Sequence, residues 1–229
     1  MVRVEAVEFD WQPVFLSLQI ATAALALCFC SGTLAALWMA QRQFRGKDVL
    51  EALFLLPLVL PPVVTGYALL VLLGRQGPVG LWLEQTFQWR LIFTPYAAIL
   101  ASTAVAFPLM YQSAKAAFLT IDPFLHDAAR SLGATPHRVF WTVTLPLAWP
   151  GLVAGAVLSF ARALGEFGAT IMVSGNIAGS TTTMPTAIYM AAEGGDARIA
   201  AAYSALLAIL NLFFIIILSI WTRRARRAS

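Results

Sequence analysis

Residues 121–146 read IDPFLHDAARSLGATPHRVFWTVTLP and lie between two long apolar runs. Asp122 before Pro123 offers a side-chain acceptor to the first free amides of a helix, and proline suits the first turn, where its missing N–H costs nothing. Thr135 before Pro136 repeats the arrangement, and Gly133 stands where a helix closes with a left-handed residue. The spacing predicts a short helix over 123–132, a turn at Gly133, and a second helix from Pro136 into the next apolar run. On the first helix Leu125, Ala128, Ala129 and Leu132 fall at i, i+3, i+4 and i+7, one narrow apolar stripe. Such a stripe needs a cover. Either it folds back on the chain's own helices or the headgroups, or it inserts into a groove on another protein.

Outward from this segment the chain is mostly apolar. Of its 229 residues 60% are hydrophobic and 11% charged, and the mean hydropathy is +0.78, too little polar surface to cover a soluble globule of this size. Val14–Ala40, Val49–Leu73, Leu91–Leu119, Leu147–Val173 and Ala200–Trp221 each exceed the roughly 20 residues that cross a bilayer. A further stretch, Met184–Ala192, is about half that length and is bounded by Gly-Ser-Thr and Gly-Gly-Asp, so a re-entrant or interfacial segment is expected. The fold class expected is an all-α integral membrane protein, a polytopic bundle of five main transmembrane helices forming one domain over residues 1–229. The acidic segment Met1–Asp10 precedes a run too long for a signal-peptide core, so that run reads as a retained span.

Basic residues set the orientation. Arg42, Arg45, Lys47, Lys115, Arg130, Arg138, Arg223, Arg224, Arg226 and Arg227 fall on one side of such a bundle, and Arg3, Arg75, Arg90 and Arg198 on the other. The richer side is expected to be cytoplasmic, with the N-terminus outside and the basic tail inside a multi-pass protein of the cell inner membrane. Cys28 and Cys30 point to different faces of one helix, and His126 and His137 lack a third ligand at metal spacing, so neither disulfide nor metal chemistry is expected.

Several spans are interrupted. Pro57, Pro61, Pro62 and Gly66 fall inside the second, whose freed backbone groups must find partners within protein; the break is either a packing kink or the lining of a pathway. Gly165 and Gly168 in the fourth permit close helix approach or a broken helix at mid-membrane. Between them stands Glu166, one turn after Arg162 on the same face, so the two can pair in a low-dielectric interior. The pair is either a structural ion pair at a subunit interface or part of a gate. The hydroxyl-rich segment 174–183 reads as an external solvated loop, or as a contact for an external protein.

The 121–146 loop resembles the EAA signature of ABC-importer permeases: a Glu-Ala-Ala triplet, a glycine four positions after the second alanine, and a terminal Ile-x-Leu-Pro. Asp127, Ala128, Ala129, Gly133, Val143, Leu145 and Pro146 occupy those places, with Asp for Glu and Val for Ile. LPLVLPPVVTGYALLVLLGRQG (56–77) and FARALGEFGATIMVSGNIAG (160–179) look like the corresponding stretches of molybdate permease subunits. The resemblance implies a homodimer, two cytoplasmic ATPase subunits docked on loops that include Leu132 beside the signature residues, and an external binding protein that delivers the oxyanion. The broken spans and the buried pair place the expected pathway or gate near Arg162, Glu166, Gly168, Pro61 and Pro62. Sulfate or tungstate is the alternative cargo.

No G-x-x-x-x-G-K-[ST] occurs, since Lys47 and Lys115 are followed by Asp and Ala, so ATP and Mg are expected on the partner ATPases and no cofactor on this chain. Five helices are few to enclose a pathway, which favours pairing of two copies in the lipid bilayer. A stand-alone secondary transporter would call for an inverted repeat and further buried carboxylates, and an intramembrane hydrolase for a glycine ahead of Ser174 and a histidine at membrane depth; the sequence has neither set. No nucleic-acid partner is expected.

Overall fold

In a computed structural model, which describes residues 9–228, the elements in chain order are α1 (Gln12–Gln41), α2 (Lys47–Val59), α3 (Pro62–Leu73), α4 (Pro78–Phe87), α5 (Pro95–Leu119), α6 (Pro123–Ser131) and α7 (Pro136–Val139). A π-helical turn (Phe140–Thr144) follows, then α8 (Leu145–Leu164), α9 (Gly168–Ser174), α10 (Met184–Glu193) and α11 (Ala197–Ala228). Arg3 and the side chains of Arg223, Arg224, Arg226 and Arg227, which enter the charge count above, lie outside what is described.

Four helical segments, Gln12–Gln41, Pro95–Leu119, Pro136–Leu164 and Ala197–Ile217, are long and apolar enough to cross a membrane. The fifth crossing is broken: α2 and α3 meet at 115° around Leu60 and Pro61. At about 1.5 Å per residue neither half alone covers ~30 Å of hydrocarbon. α2 lies against the end of α5, where Phe54 packs on Phe107 and Tyr111 and Glu51 pairs with Lys115, whereas α3 places Leu69 and Leu70 beside Ala97, Ala101 and Val105 near its start. Together the two halves climb the length of α5.

The core is α1, α5 and α8. α1 and α5 run parallel, with Cys28 Sγ donating to Thr103 O at 3.3 Å and Gly32 set against Met110. α8 returns antiparallel, with Ser159 Oγ donating to Ala106 O at 3.3 Å. Its Gly151 meets Ala117 so closely that an added Cβ would lie 2.5 Å from that methyl, the close backbone approach that small residues give in lipid, where packing rather than water expulsion holds helices together. α11 follows the direction of α1: Tyr203 donates to Asp10 O at 2.5 Å, and Phe214 packs on Phe160 at 4.5 Å. Only 6% of its apolar window is buried, so this helix covers the bundle on one side and turns Ile209, Leu212, Phe213 and Ile216 outward.

One end of the bundle therefore gathers the C-terminus of α1, the 120–135 segment and the far end of α11, and the other gathers Trp11, residues 89–96 and residues 179–184. Exposed Trp38 and Trp141 at the first end, and Trp11, Trp82, Trp89 and Tyr96 at the second, stand where amphipathic rings meet headgroups.

Three sequence expectations are corrected. The fourth crossing is not Leu147–Val173 but begins at Pro136 and ends at Leu164, because the chain breaks over residues 165–167 and resumes as α9. The third helix starts at Pro95, capped by Thr94 Oγ1, which accepts from Ala97 N at 3.4 Å; Leu91 lies outside it, ahead of a turn at 92–93. The 174–183 segment is not a solvated loop throughout: Ser174, Thr181 and Thr183 are buried, and Thr181 Oγ1 accepts from Ile177 N at 2.9 Å, folding the segment on itself. The short Met184–Ala192 stretch is helix α10, whose first turn is buried, with Met184 N donating to Ser17 Oγ at 2.7 Å.

Candidate translocation and coupling site

The break in the second crossing and the break after α8 meet. Gly168, the first residue of α9, is packed so that an added Cβ would lie 3.1 Å from Pro62 Cβ, and Gly66 faces Ala169, where an added Cβ would lie 2.6 Å from a backbone carbon. Proline supplies the first break by removing an N–H and crowding the preceding turn; Pro61 O then accepts from Val64 N at 2.8 Å and starts α3. The second break is held by Glu166. Its Oε1 accepts from Ala169 N at 2.7 Å, satisfying an orphan amide of α9, while its Oε2 pairs with Arg162 Nη1 at 2.6 Å. The Glu166 side chain is 1% exposed and that of Arg162 29%. A carboxylate so buried is tolerable only because it meets a cation and a backbone donor together.

Of the residues expected near a pathway, the structure brings Arg162 to Glu166, and Pro62 to Gly168. Pro61 sits at the bend between α2 and α3.

At the opposite site, α6 forms as its punctuation predicts, one residue shorter than expected. Asp122 Oδ1 accepts from Phe124 N at 2.9 Å, and Thr135 Oγ1 accepts from Arg138 N at 3.4 Å to open α7. Gly133 adopts φ +81°, and closure is completed by Gly133 N donating to Arg130 O at 2.9 Å and Ala134 N to Ala129 O at 3.1 Å. A contact of 3.0 Å between His126 Nε2 and Thr144 Oγ1 ties α6 to the π-helical turn. Ala128 and Ala129 are half-buried, but the chain does not cover the leucines of the stripe: Leu125 is 42% exposed and Leu132 89%, and Phe124 beside them is 71% exposed. Asp127 is exposed on the same short helix.

Sequence reasoning missed the π-helical turn. Leu145 N donates to Phe140 O, five residues back, just ahead of Pro146. An ordinary α-turn would drive the Pro146 ring into the carbonyl four residues earlier, and the wider turn relieves that clash. Pro146 was the available signal. Val143, Leu145 and Pro146 thus form the joint between the loop and α8, with Val143 and Leu145 half-buried. The Glu51–Lys115 pair was also missed; a lysine in the last two turns of one span and a glutamate in the second turn of another gave the clue.

A bundle with paired broken helices at mid-depth, and a capped helix presented at its basic end, has the fold of ABC-importer permeases. It superposes on the MetNI methionine ABC transporter in its inward-facing conformations with a TM-score of 0.73 at 21% identity, covering 94% of this chain and 95% of that one. It likewise superposes on a bacterial alginate ABC transporter in complex with alginate pentasaccharide-bound periplasmic protein (TM-score 0.73, 20% identity, 96% and 80% covered). Residues 32–227 match the family of binding-protein-dependent transport system inner membrane components, and the chain belongs to that family. It is 41% identical over 218 residues to the molybdenum transport system permease protein ModB of Escherichia coli K12, covering 95% of each. To the protein of the same name from Haemophilus influenzae it is 43% identical over 206 residues, covering 90% of each. The chain is thus a multi-pass permease component of a binding-protein-dependent importer.

Proposed function

We propose that this chain is the molybdate-conducting subunit of an ATP-driven importer, acting as a homodimer with two ATPase subunits on its basic, cytoplasmic end and an external binding protein at the other. The observation that carries the reading is the apolar face of α6: Phe124, Leu125 and Leu132 stand uncovered on a helix fixed by Asp122 at one end and Gly133 at the other. Exposed apolar side chains on a capped, rigid element suit insertion into a groove of a partner. ATP and Mg bind on that partner, because the chain carries no phosphate-binding loop. The signature positions of the 121–146 coupling loop, Asp127, Ala128, Ala129, Leu132, Gly133, Val143, Leu145 and Pro146, then carry motion through the π-helical joint into α8.

α8 ends at the Arg162–Glu166 pair, and Glu166 holds the start of α9, which packs on α3. Movement at α6 therefore has a continuous packed route to the broken crossings, where access alternates between sides as a rigid-body rearrangement. The preference for molybdate over sulfate or tungstate rests on likeness to proteins named for molybdenum transport.

The test is reconstitution in liposomes with the cognate ATPase and binding protein. ATP hydrolysis and uptake are expected to rise with the molybdate-loaded binding protein and to stay at background with the unloaded one. Uptake of molybdate by the purified chain alone would overturn the reading, as would a response to sulfate and none to molybdate.

A further inference from the structure

Beneath α6 lies a cavity of about 560 Å³, lined by Leu37 and Gln41 at the end of α1, His126 and Arg130 of α6, and Pro136, Val139, Phe140 and Thr144 at the start of the next crossing. Its volume falls within the ~300–1,000 Å³ of small-ligand sites. His126 and Arg130 are one helical turn apart, on the side of α6 turned toward the bundle, where His126 meets Thr144. Among the described residues no carboxylate lies within ion-pairing distance of either, and Asp127 does not line the cavity. The cavity therefore offers one permanent cation, one imidazole and the Gln41 amide, facing a wall made of Leu37, Pro136, Val139 and Phe140.

We propose that this cavity is a binding site for the phosphate-bearing headgroup of an anionic phospholipid. Basic pockets between transmembrane helices at the cytoplasmic leaflet suit such headgroups. The guanidinium recognises the phosphate, Gln41 and His126 add hydrogen bonds, and the apolar wall accepts the upper part of the acyl chains. A free oxyanion shares the first two contacts but gains nothing from that wall. Its lining residues Leu37 and Phe140 adjoin in sequence the exposed Trp38 and Trp141, the rings that mark this headgroup level. An occupied site would brace the inner face of α6 while its outer face engages a partner.

The experiment is native mass spectrometry of the full-length chain purified in detergent and titrated with phosphatidylglycerol, phosphatidylcholine or inorganic phosphate. Retention of phosphatidylglycerol over phosphatidylcholine is expected. Arg130→Gln should weaken it about fivefold, since an interfacial Arg contributes ~1 kcal/mol to anionic lipid binding. Arg138→Gln, a change in the same basic loop but outside the cavity lining, should leave it unchanged, and Arg130→Lys should keep most of it. Equal losses from Arg130→Gln and Arg138→Gln would overturn the proposal in favour of diffuse charge attraction. Displacement of the lipid by inorganic phosphate at equal concentration would overturn it in favour of a free-oxyanion site.

Discussion

Replacing Gly66 by valine should cut uptake by more than tenfold and lower the amount of protein held in the membrane. A Cβ at this position would lie 2.6 Å from Ala169 Cα, 2.9 Å from Ala169 O and 2.9 Å from Met172 Cβ, and two of these atoms are backbone that no rotamer change can clear. Relief requires α3 and α9 to part by roughly 1 Å. α9 is not free to retreat, because Ala169 and Val173 are packed into Ala97, Ala101 and Val105 of α5, and Val173 O accepts from Phe93 N at 2.8 Å. Overpacking of this kind costs about 1–3 kcal/mol for a small addition and more for a branched one, so Gly66→Ala should fall between wild type and valine. The check is uptake in inverted or right-side-out vesicles normalised to the folded chain. Wild-type uptake and accumulation by Gly66→Val would contradict the contact between the two broken crossings.

The second large effect is expected from Arg162→Ala. It leaves the Glu166 carboxylate, 1% exposed, with one backbone donor and no counter-charge. Stranding a buried charge by removing its partner costs about 3–5 kcal/mol, enough to unfold a large share of the chain or send it to degradation. Glu166→Gln should be milder, because an amide oxygen can still accept from Ala169 N, although transport should fall if the pair takes part in gating. The double variant Arg162→Ala with Glu166→Gln should recover most of the stability lost by Arg162→Ala alone. Thermal unfolding in detergent reads both: equal stability of Arg162→Ala and wild type, or a double variant no better than the single one, would refute the paired arrangement.

What the sequence made legible was local punctuation. Asp122-Pro123, Thr135-Pro136 and Gly133 each act within four residues, so the caps, the turn and α6 itself could be read before any tertiary contact was considered. The i, i+4 spacing of Arg162 and Glu166 likewise foretold their pairing. Hydropathy located the crossings but not their ends: a window of apolar residues cannot register that Gly165 ends a helix while Glu166 turns back to cap the next, so the fourth crossing was placed too far along the chain. Proline forecast a bend near Pro61, yet its 115° depends on α3 seating against α9, which lies about a hundred residues away in sequence. The burial of Thr181 and Thr183 was hidden for a similar reason, since hydroxyl-rich composition reads as solvated until the Ile177 amide is seen to claim Thr181 and the Thr186 hydroxyl to pair with Thr183.

The uncovered face of α6 is expected to receive force from an ATPase partner. The direct measurement is disulfide trapping of Leu132→Cys, in a chain whose Cys30 has been changed to Ser, against cysteines placed around the surface groove of the co-purified ATPase. A crosslink is expected to form in the assembled transporter, to stop substrate-stimulated ATP hydrolysis and to be reversed by reductant. Failure of Leu132 and of Leu125 to crosslink at any groove position, in a complex that still hydrolyses ATP in response to loaded binding protein, would contradict it.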